Sequence, residues 1–417
     1  MRSHLTAFGV GAGLSLLAAG VVALVAPRFA DAVSDADGVH IVNIGNGDSG
    51  SFHLKDDGLN VSADWKGEFA IAADGRSLSS LRGKLEIVSV EKDAKRKASF
   101  EREGDGVRVR AFVGDKETSP ETAAETEAAD LLQLFARSSG VNAETRVKAM
   151  LADGGKKRVI DEIGVLKSAH AVGAYVESLA SATMLTTEEI SILVERLKGL
   201  ESDYSKRTAI SALLRAQTLD DASVEKVLDV AKTIKGDHEL RLVIEDITDD
   251  ELGARNLTIA TRLIEQIEGD HEIRLALSSL LENERLSDAD AARLLDLASV
   301  AIDGDYELRL AVEAAGEKLS WAAAGASAIK AISAIEGGHD RRLAIEEMGD
   351  RLDATSPHWL ALIDAVAAVD SDYERRLAIE ELASNAPDRV EVQAALKKAA
   401  EAIESAHERR LALDSLG

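Results

Sequence analysis

Two periodicities divide the chain. Between about residues 39 and 115, apolar residues recur at every second position. In Val107–Val113 the set Val107, Val109, Ala111 and Val113 faces one way, and Arg108 and Arg110 face the other. Val61, Ala63 and Trp65 alternate with Asn60, Ser62 and Asp64; Phe69 and Ile71 follow, and Lys84–Glu91 reads as a further strand. Period two marks a half-buried strand. The pattern predicts a small antiparallel β domain of six or seven strands, a meander packed on one face and solvated on the other. Asp105-Gly106 is its clearest tight turn, and Lys92, Lys95, Arg96 and Lys97 read as a solvated hairpin tip.

From about residue 131 to 417 the period becomes helical and one phrase recurs. It is written SDYSKR at Ser202–Arg207, GDHELR at Gly236–Arg241, GDHEIR at Gly269–Arg274 and GDYELR at Gly304–Arg309. It continues as GGHDRR at Gly337–Arg342, SDYERR at Ser371–Arg376 and SAHERR at Ser405–Arg410. The arginines Arg207, Arg241, Arg274, Arg309, Arg342, Arg376 and Arg410 are spaced 34, 33, 35, 33, 34 and 34 residues apart. SAHAVG at Ser168–Gly173, one period earlier, is a decayed eighth copy. A fixed period of this length marks stacked helical hairpins.

Each copy reads as a cap followed by a helix. Ser371 with Glu374 and Ser405 with Glu408 have capping-box spacing, and glycine in the cap slot is tolerated. Asp203 and Asp372 complement the positive end of the helix dipole. Arg241–Glu245, Arg309–Glu313, Arg342–Glu346, Arg376–Glu380 and Arg410–Asp414 are i,i+4 partners. A second helix follows, opened by Asp or Ser, as over 220–234 or 287–302. The expected architecture is mainly α, a HEAT-like α-solenoid of about eight helical hairpins behind the β domain. The tetratricopeptide repeat has the same period, but its aromatic signature is missing here. The polar, Pro120-bearing stretch 116–130 (KETSPETAAETEAAD) is expected as a linker.

Residues 5–27 carry no charge and are flanked by Arg2 and Arg28. At ~1.5 Å per residue such a helix could cross a hydrocarbon core of roughly 30 Å. Ala30-Asp31-Ala32 offers the small residues of a signal cleavage site. Residues 1–32 are therefore a signal peptide or an apolar helical membrane anchor, and the rest is expected in the periplasm.

Composition sharpens this picture. Aromatics are 3% of residues and prolines number four, so the core is built from Leu, Ile, Val and Ala. The net charge is −25. Residues 39–115 hold 12 basic and 13 acidic groups, whereas 116–417 hold 35 basic and 58 acidic, so the helical part carries −23. Such a surface repels phosphate backbones, which excludes general nucleic-acid binding and favours a protein partner. With no cysteine, thiolate metal sites, disulfides and cysteine nucleophiles are excluded.

Several apparent motifs fail on context. Gly45–Gly50 (GNGDSG) fits GxGxxG, but the alternating Ser51–Lys55 that follows is a strand rather than a helix start. Asp35–Gly38 (DADG) suggests a calcium loop, yet its first and twelfth ligand positions would be Val33 and Ile44. His238-Glu239, His271-Glu272 and His407-Glu408 begin like HExxH, but the fifth residue is Leu242, Leu275 or Leu411. His170, His238, His271, His339 and His407 share one slot with Tyr204, Tyr306 and Tyr373, so the position asks for a flat ring with a polar edge. Neither a metal nor a cofactor is expected, and no catalytic constellation stands out. The repeated arginines are either an anion-binding stripe or an internal ladder with acids of their own or the next copy.

The stretch from Phe52 to Gly417 resembles uncharacterised, repeat-bearing exported regions of proteobacterial envelope proteins, some attached to antirepressor-type membrane metallopeptidases. The most specific pieces are Glu144–Val147 (ETRV), Gly154-Gly155 and Val159–Ile163 (VIDEI), followed by the SDYE-R repeats. The resemblance implies a periplasmic accessory or sensor role. The peptidase is not inherited, since HExxH and multiple membrane spans are both missing. The expected function is a non-enzymatic exported scaffold that binds a protein partner. The alternative is an envelope sensor whose β domain binds a ligand and whose helices relay it.

Overall fold

The computed structural model describes residues 32–34, 39–44, 49–56, 58–248, 253–283, 285–318 and 321–417. The expected signal or anchor segment, the glycine-rich turn at 45–48 and Asp35–Gly38 lie outside these residues. Among the described residues, no helix is long and apolar enough to cross a membrane.

The N-terminal part is an antiparallel sheet built from β1 (Ala32–Ser34), β2 (Val39–Ile44), β3 (Ser49–Asp56), β4 (Leu59–Lys66), β7 (Lys84–Glu91), β8 (Ala94–Glu103), β9 (Gly106–Val113) and β10 (Lys116–Glu117). They pair in that order, with β5 (Phe69–Ile71) and β6 (Leu78–Leu81) forming a separate hairpin between β4 and β7. The meander is as expected, but ten strands are described rather than six or seven. Phe52, Ala63, Ile87, Ala98 and Ala111 lie side by side across the register and are buried. The alternation of the sequence thus becomes one apolar face. Two turns need correction or refinement. Glu103 pairs with Gly106, so the tight turn is Gly104-Asp105, with Gly104 at positive φ, one residue before the expected pair. Lys92 and Asp93, both at positive φ, form the two-residue turn between β7 and β8.

The expected linker is structured. Residues 116–117 are β10, and 121–130 open α1 (Glu121–Ser139). Ala124, Ala128, Leu131, Leu132 and Phe135 recur at helical spacing and are buried, the last four in one cluster with the sheet's apolar face. Phe135 meets Phe52 edge-on at 5.5 Å between centroids. Burying each Leu or Phe contributes about 1.5–3 kcal/mol, which is why this half-polar segment orders. A boundary at 130/131 cuts through that helix, whose second half belongs to the core of the sheet.

After α1 come α2 (Ala143–Ile163) and two interleaved sets of helices. The helices that carry the phrase are α3 (Ala169–Ala182), α5 (Asp203–Ala216), α7 (Asp237–Thr248), α9 (Asp270–Leu281), α11 (Asp305–Lys318), α13 (Gly338–Arg351), α15 (Asp372–Asn385) and α17 (Ala406–Ser415). Between them lie α4 (Thr187–Lys198), α6 (Asp221–Ala231), α8 (Ala254–Ile264), α10 (Asp288–Ala301), α12 (Trp321–Ala334), α14 (Trp359–Val366) and α16 (Val390–Glu401). Each odd helix from α3 packs on the next odd one. The even helices stack from α4 to α8 and from α10 to α16, with α9 packing on both α8 and α10 at the junction. One continuous apolar cluster runs from Ala143 to Ala412. The chain is therefore mainly helical, behind an antiparallel sheet.

Candidate functional site

Two polar constructions stand out, one repeated and one single. The repeated one is built from the phrase. The arginine lies in the second turn of its helix and reaches the third-position acid of the next odd helix. Nε to carboxylate distances are 2.7 Å for Arg207–Glu239, 2.5 Å for Arg241–Glu272, 2.7 Å for Arg274–Glu307 and 2.8 Å for Arg309–Asp340. They are 2.5 Å for Arg342–Glu374 and 2.6 Å for Arg376–Glu408. Arg241, Arg309, Arg342 and Arg376 also bind the acid four residues on, Glu245, Glu313, Glu346 and Glu380. Six of the seven candidate arginines are thus engaged inside the fold. Arg410 is exposed, with no acid at ion-pair distance among the described residues, so the expected Arg410–Asp414 pair is not formed.

The capping reading changes accordingly. Ser371 and Ser405 accept from the backbone N–H of Glu374 and Glu408, but those carboxylates turn away to the preceding copy's arginine. A complete reciprocal capping box is present at Thr186 and Glu189, at the start of α4. The aspartate of the phrase does more than face a dipole. Asp203 accepts from the N–H of Lys235 and Gly236, both at 3.0 Å, and Asp305 from Glu336 and Gly337, both at 2.7 Å. Asp237, Asp270 and Asp372 make the same bond to Gly269, Gly304 and Ser405. Each fastens the entry of the next odd helix. A Cβ at Gly337 would stand 2.7 Å from the Asp305 oxygen, a flexible side-chain end that can shift, and Ser405 fills the same slot with the same bond to Asp372.

The ring slot covers this ladder. Arg207, Arg309 and Arg376 lie under the rings of Tyr204, Tyr306 and Tyr373, at 4.9, 5.1 and 5.1 Å from their centroids. At His238, His271 and His339 Nδ1 faces the same network, and at His407 Nε2 lies 4.0 Å from Glu408. Among the described residues no three His, Cys, Asp or Glu side chains gather as a metal site. Burial pushes the Glu307 carboxyl up, but hydrogen bonds from Arg274 and His271 outweigh it and hold it below its ordinary range. Glu346 moves the other way, because burial and the nearby Glu381 and Asp350 outweigh Arg342.

The single construction joins the sheet to the first helices. The Arg146 side chain is fully buried, 0% exposed. Its guanidinium meets Glu162 at 3.0 Å, the Tyr175 hydroxyl and the carbonyl of Ala72 at 3.4 Å, in the loop between β5 and β6. Glu162 also accepts two bonds from Arg137, at 3.1 and 2.9 Å. Burial raises the Glu162 carboxyl, yet the two arginines outweigh it and keep it below the usual range. Burial likewise raises the Tyr175 hydroxyl. Asn142 accepts from the Ile71 N–H at 3.1 Å, and Gln133 donates to the Asp74 carbonyl at 3.1 Å. Gly155, at φ 64°, breaks α2 between Arg146 and Glu162. That break re-aims the second half of the helix, a conformation open to glycine at little cost.

The basic hairpin is partly spoken for. Lys97 pairs with Glu86 at 2.8 Å and Arg96 with Glu127 of α1 at 3.9 Å, leaving Lys92 and Lys95 exposed. Comparison of the chain with family models and with curated proteins returned no match.

Proposed function

We propose that this chain is a non-enzymatic scaffold of the bacterial envelope, exported and either released or anchored by residues 5–27. Its helices form a HEAT-like α-solenoid that binds a protein partner through an acidic surface. The observation that carries the reading is the division of labour among the acids. Those of the phrase are consumed between copies, so they are not free to recruit anything. The even helices carry a second set: Glu188 on α4, Asp221 on α6, Glu265 at the end of α8, Asp364 on α14 and Glu401 on α16. All five are exposed, and none is ion-paired among the described residues. Free carboxylates spread over several even helices fit a partner with a basic face. The envelope location follows from the apolar N-terminal segment and from the resemblance to exported repeat proteins.

The test is crosslinking and pull-down with the full chain and with a variant in which those five acids become Gln or Asn. A stoichiometric partner should be captured by the wild type, weaken with salt, and be lost with the variant. Equal capture by both proteins would refute the acidic-surface reading.

The sensor alternative is favoured by one specific contact, the Arg146 network that ties the β5–β6 hairpin to α2 and α3. Removing the sheet would strip α1 of its cover, so a point change is the better test. If Arg146→Met abolishes an envelope response while partner capture persists, the relay reading wins. If both persist, the scaffold reading stands.

A further inference from the structure

Each copy carries one more recurring residue, directly before its cap. It is Glu201, Glu268, Asp303, Glu336, Asp370 or Glu404, with Lys235 as the exception before α7. All six acids are exposed, and none is ion-paired among the described residues. Their backbone is held in place from the preceding copy. The N–H groups of Glu268, Glu336 and Glu404 donate to Asp237, Asp305 and Asp372. The ring slot stands three residues after each acid. Tyr204, Tyr306 and Tyr373 rest on an arginine yet are 41%, 56% and 52% exposed. His238, His271, His339 and His407 are exposed as well. Among the described residues these three tyrosines are the only exposed Phe, Tyr or Trp side chains. A chain poor in aromatics thus buries its other rings and displays these in a single row, beside a row of free carboxylates.

We propose that the two rows bind a basic, proline-rich segment of a partner protein in the polyproline II conformation. Neighbouring helices pack about 8–10 Å apart, so each row repeats at about that distance. A polyproline II helix turns every three residues and rises about 3.1 Å per residue, so one edge of it repeats about every 9.3 Å. An α-helix repeats about every 5.4 Å and a strand about every 6.6 Å, and neither keeps step with the copies. With proline on one edge and Lys or Arg on the next, prolyl rings meet the aromatic slots while the cations meet the acids. From α9 to α17 the acids run unbroken as Glu268, Asp303, Glu336, Asp370 and Glu404. That run matches about five turns, or about fifteen residues, of the bound segment. With four prolines in its 417 residues the chain offers no such segment, which points away from a second copy. A neutral glycan would leave the carboxylates without a counter-charge. None of these residues is among the five acids of the even helices, so this site and that surface can fail independently.

Fluorescence anisotropy with the full chain tests the site, using a labelled peptide of about fifteen residues that repeats Pro-Pro-Lys. A peptide repeating Gly-Ser-Lys carries the same charge on a flexible backbone. The proline peptide should bind about tenfold more tightly than the flexible one, and less tightly as salt rises. Y306A/Y373A should weaken its binding about tenfold, the scale of losing aromatic anchors from an interface. E268Q/D303N/E336Q/D370N/E404Q breaks no ion pair of the fold and should remove most of the salt dependence. This second variant reads the same site if loss of the rings impairs folding. Equal affinity for the two peptides, no binding of the proline peptide, or binding unchanged in the acid variant overturns the proposal. So does a chitin oligosaccharide that binds at these rings while the peptide does not.

Discussion

Replacing Arg146 by Met tests the joint between sheet and helices most directly. Met keeps the apolar stem of the side chain and stops two bonds short of the terminal guanidinium nitrogens, so the substitution removes charge and donors while the stem stays filled. It leaves the Tyr175 hydroxyl and the Ala72 carbonyl without their donor, and Glu162 with Arg137 alone. Removing one partner of a buried ion pair costs about 3–5 kcal/mol, because the remaining charge stays buried. Arg137 still supplies two bonds to Glu162, so the lower end applies, about 3 kcal/mol. At 1.4 kcal/mol per decade this is roughly a hundredfold rise in the opening equilibrium. The loss should be local, in the amides of Phe69–Leu81 and the second half of α2, with the helices from α5 onward unchanged. Hydrogen exchange with peptide resolution reads it. Arg146→Lys should fall between wild type and Met, since it keeps charge but loses the planar fork. Unchanged exchange in the hairpin, or an equal rise across the whole chain, would refute the reasoning.

Other outcomes follow from the ladder and the joint. Arg274→Ala, which removes an inter-copy bond with no i+4 companion, should cost about 1 kcal/mol in chemical denaturation. Asp305→Ala strips the acceptor from two N–H groups at the entry of α13 and should cost about 1–2 kcal/mol, comparable to loss of a helix cap. Gly155→Ala should cost about 1–3 kcal/mol through the backbone alone, since φ 64° with ψ −168° is a region essentially confined to glycine and no atom crowds a Cβ there. The lowered Glu162 carboxyl contributes stability that is present above the ordinary carboxylate pKa and is lost as pH falls through its depressed folded value. Protection of the β5–β6 hairpin should therefore collapse only in strong acid, and Glu162→Gln should abolish that pH dependence.

Much of the fold is legible in the sequence, because its two periods map directly onto burial. Val61, Ala63 and Trp65 alternate and are buried together, and the 34-residue phrase returns at every odd helix from α3. The helix α1 escapes because its first ten residues are only Ala, Glu, Thr and Asp, with no larger apolar side chain; its apolar positions come into phase only when 124, 128, 131, 132 and 135 are read across the presumed boundary. The buried joint is harder still. Arg146 and Glu162 stand in the segment that carries the resemblance, but a charged residue in a helical run reads as solvated face until a partner is known. Its partners are 16, 29 and 74 residues away, with no period to reveal them.

The ladder shows why a recurring charged phrase is a poor guide to a binding site. Arg241 and Glu245 read as an intrahelical pair, yet the same guanidinium also ties down Glu272, 31 residues on. The offset from each arginine to its acid stays between 31 and 33 residues throughout. That constancy, rather than the motif itself, is the sequence signal of an inter-copy bond. A helical hairpin of this size cannot bury its apolar face alone, so each copy must specify how its neighbour sits. The arginine–acid bond of the phrase supplies that specification at the six boundaries from α5–α7 to α15–α17, with a tyrosine ring over the guanidinium at three of them. It recurs because the layers recur. Glu188, Asp221, Glu265, Asp364 and Glu401, carboxylates left unpaired among the described residues, lie outside the phrase, where no repeat announces them.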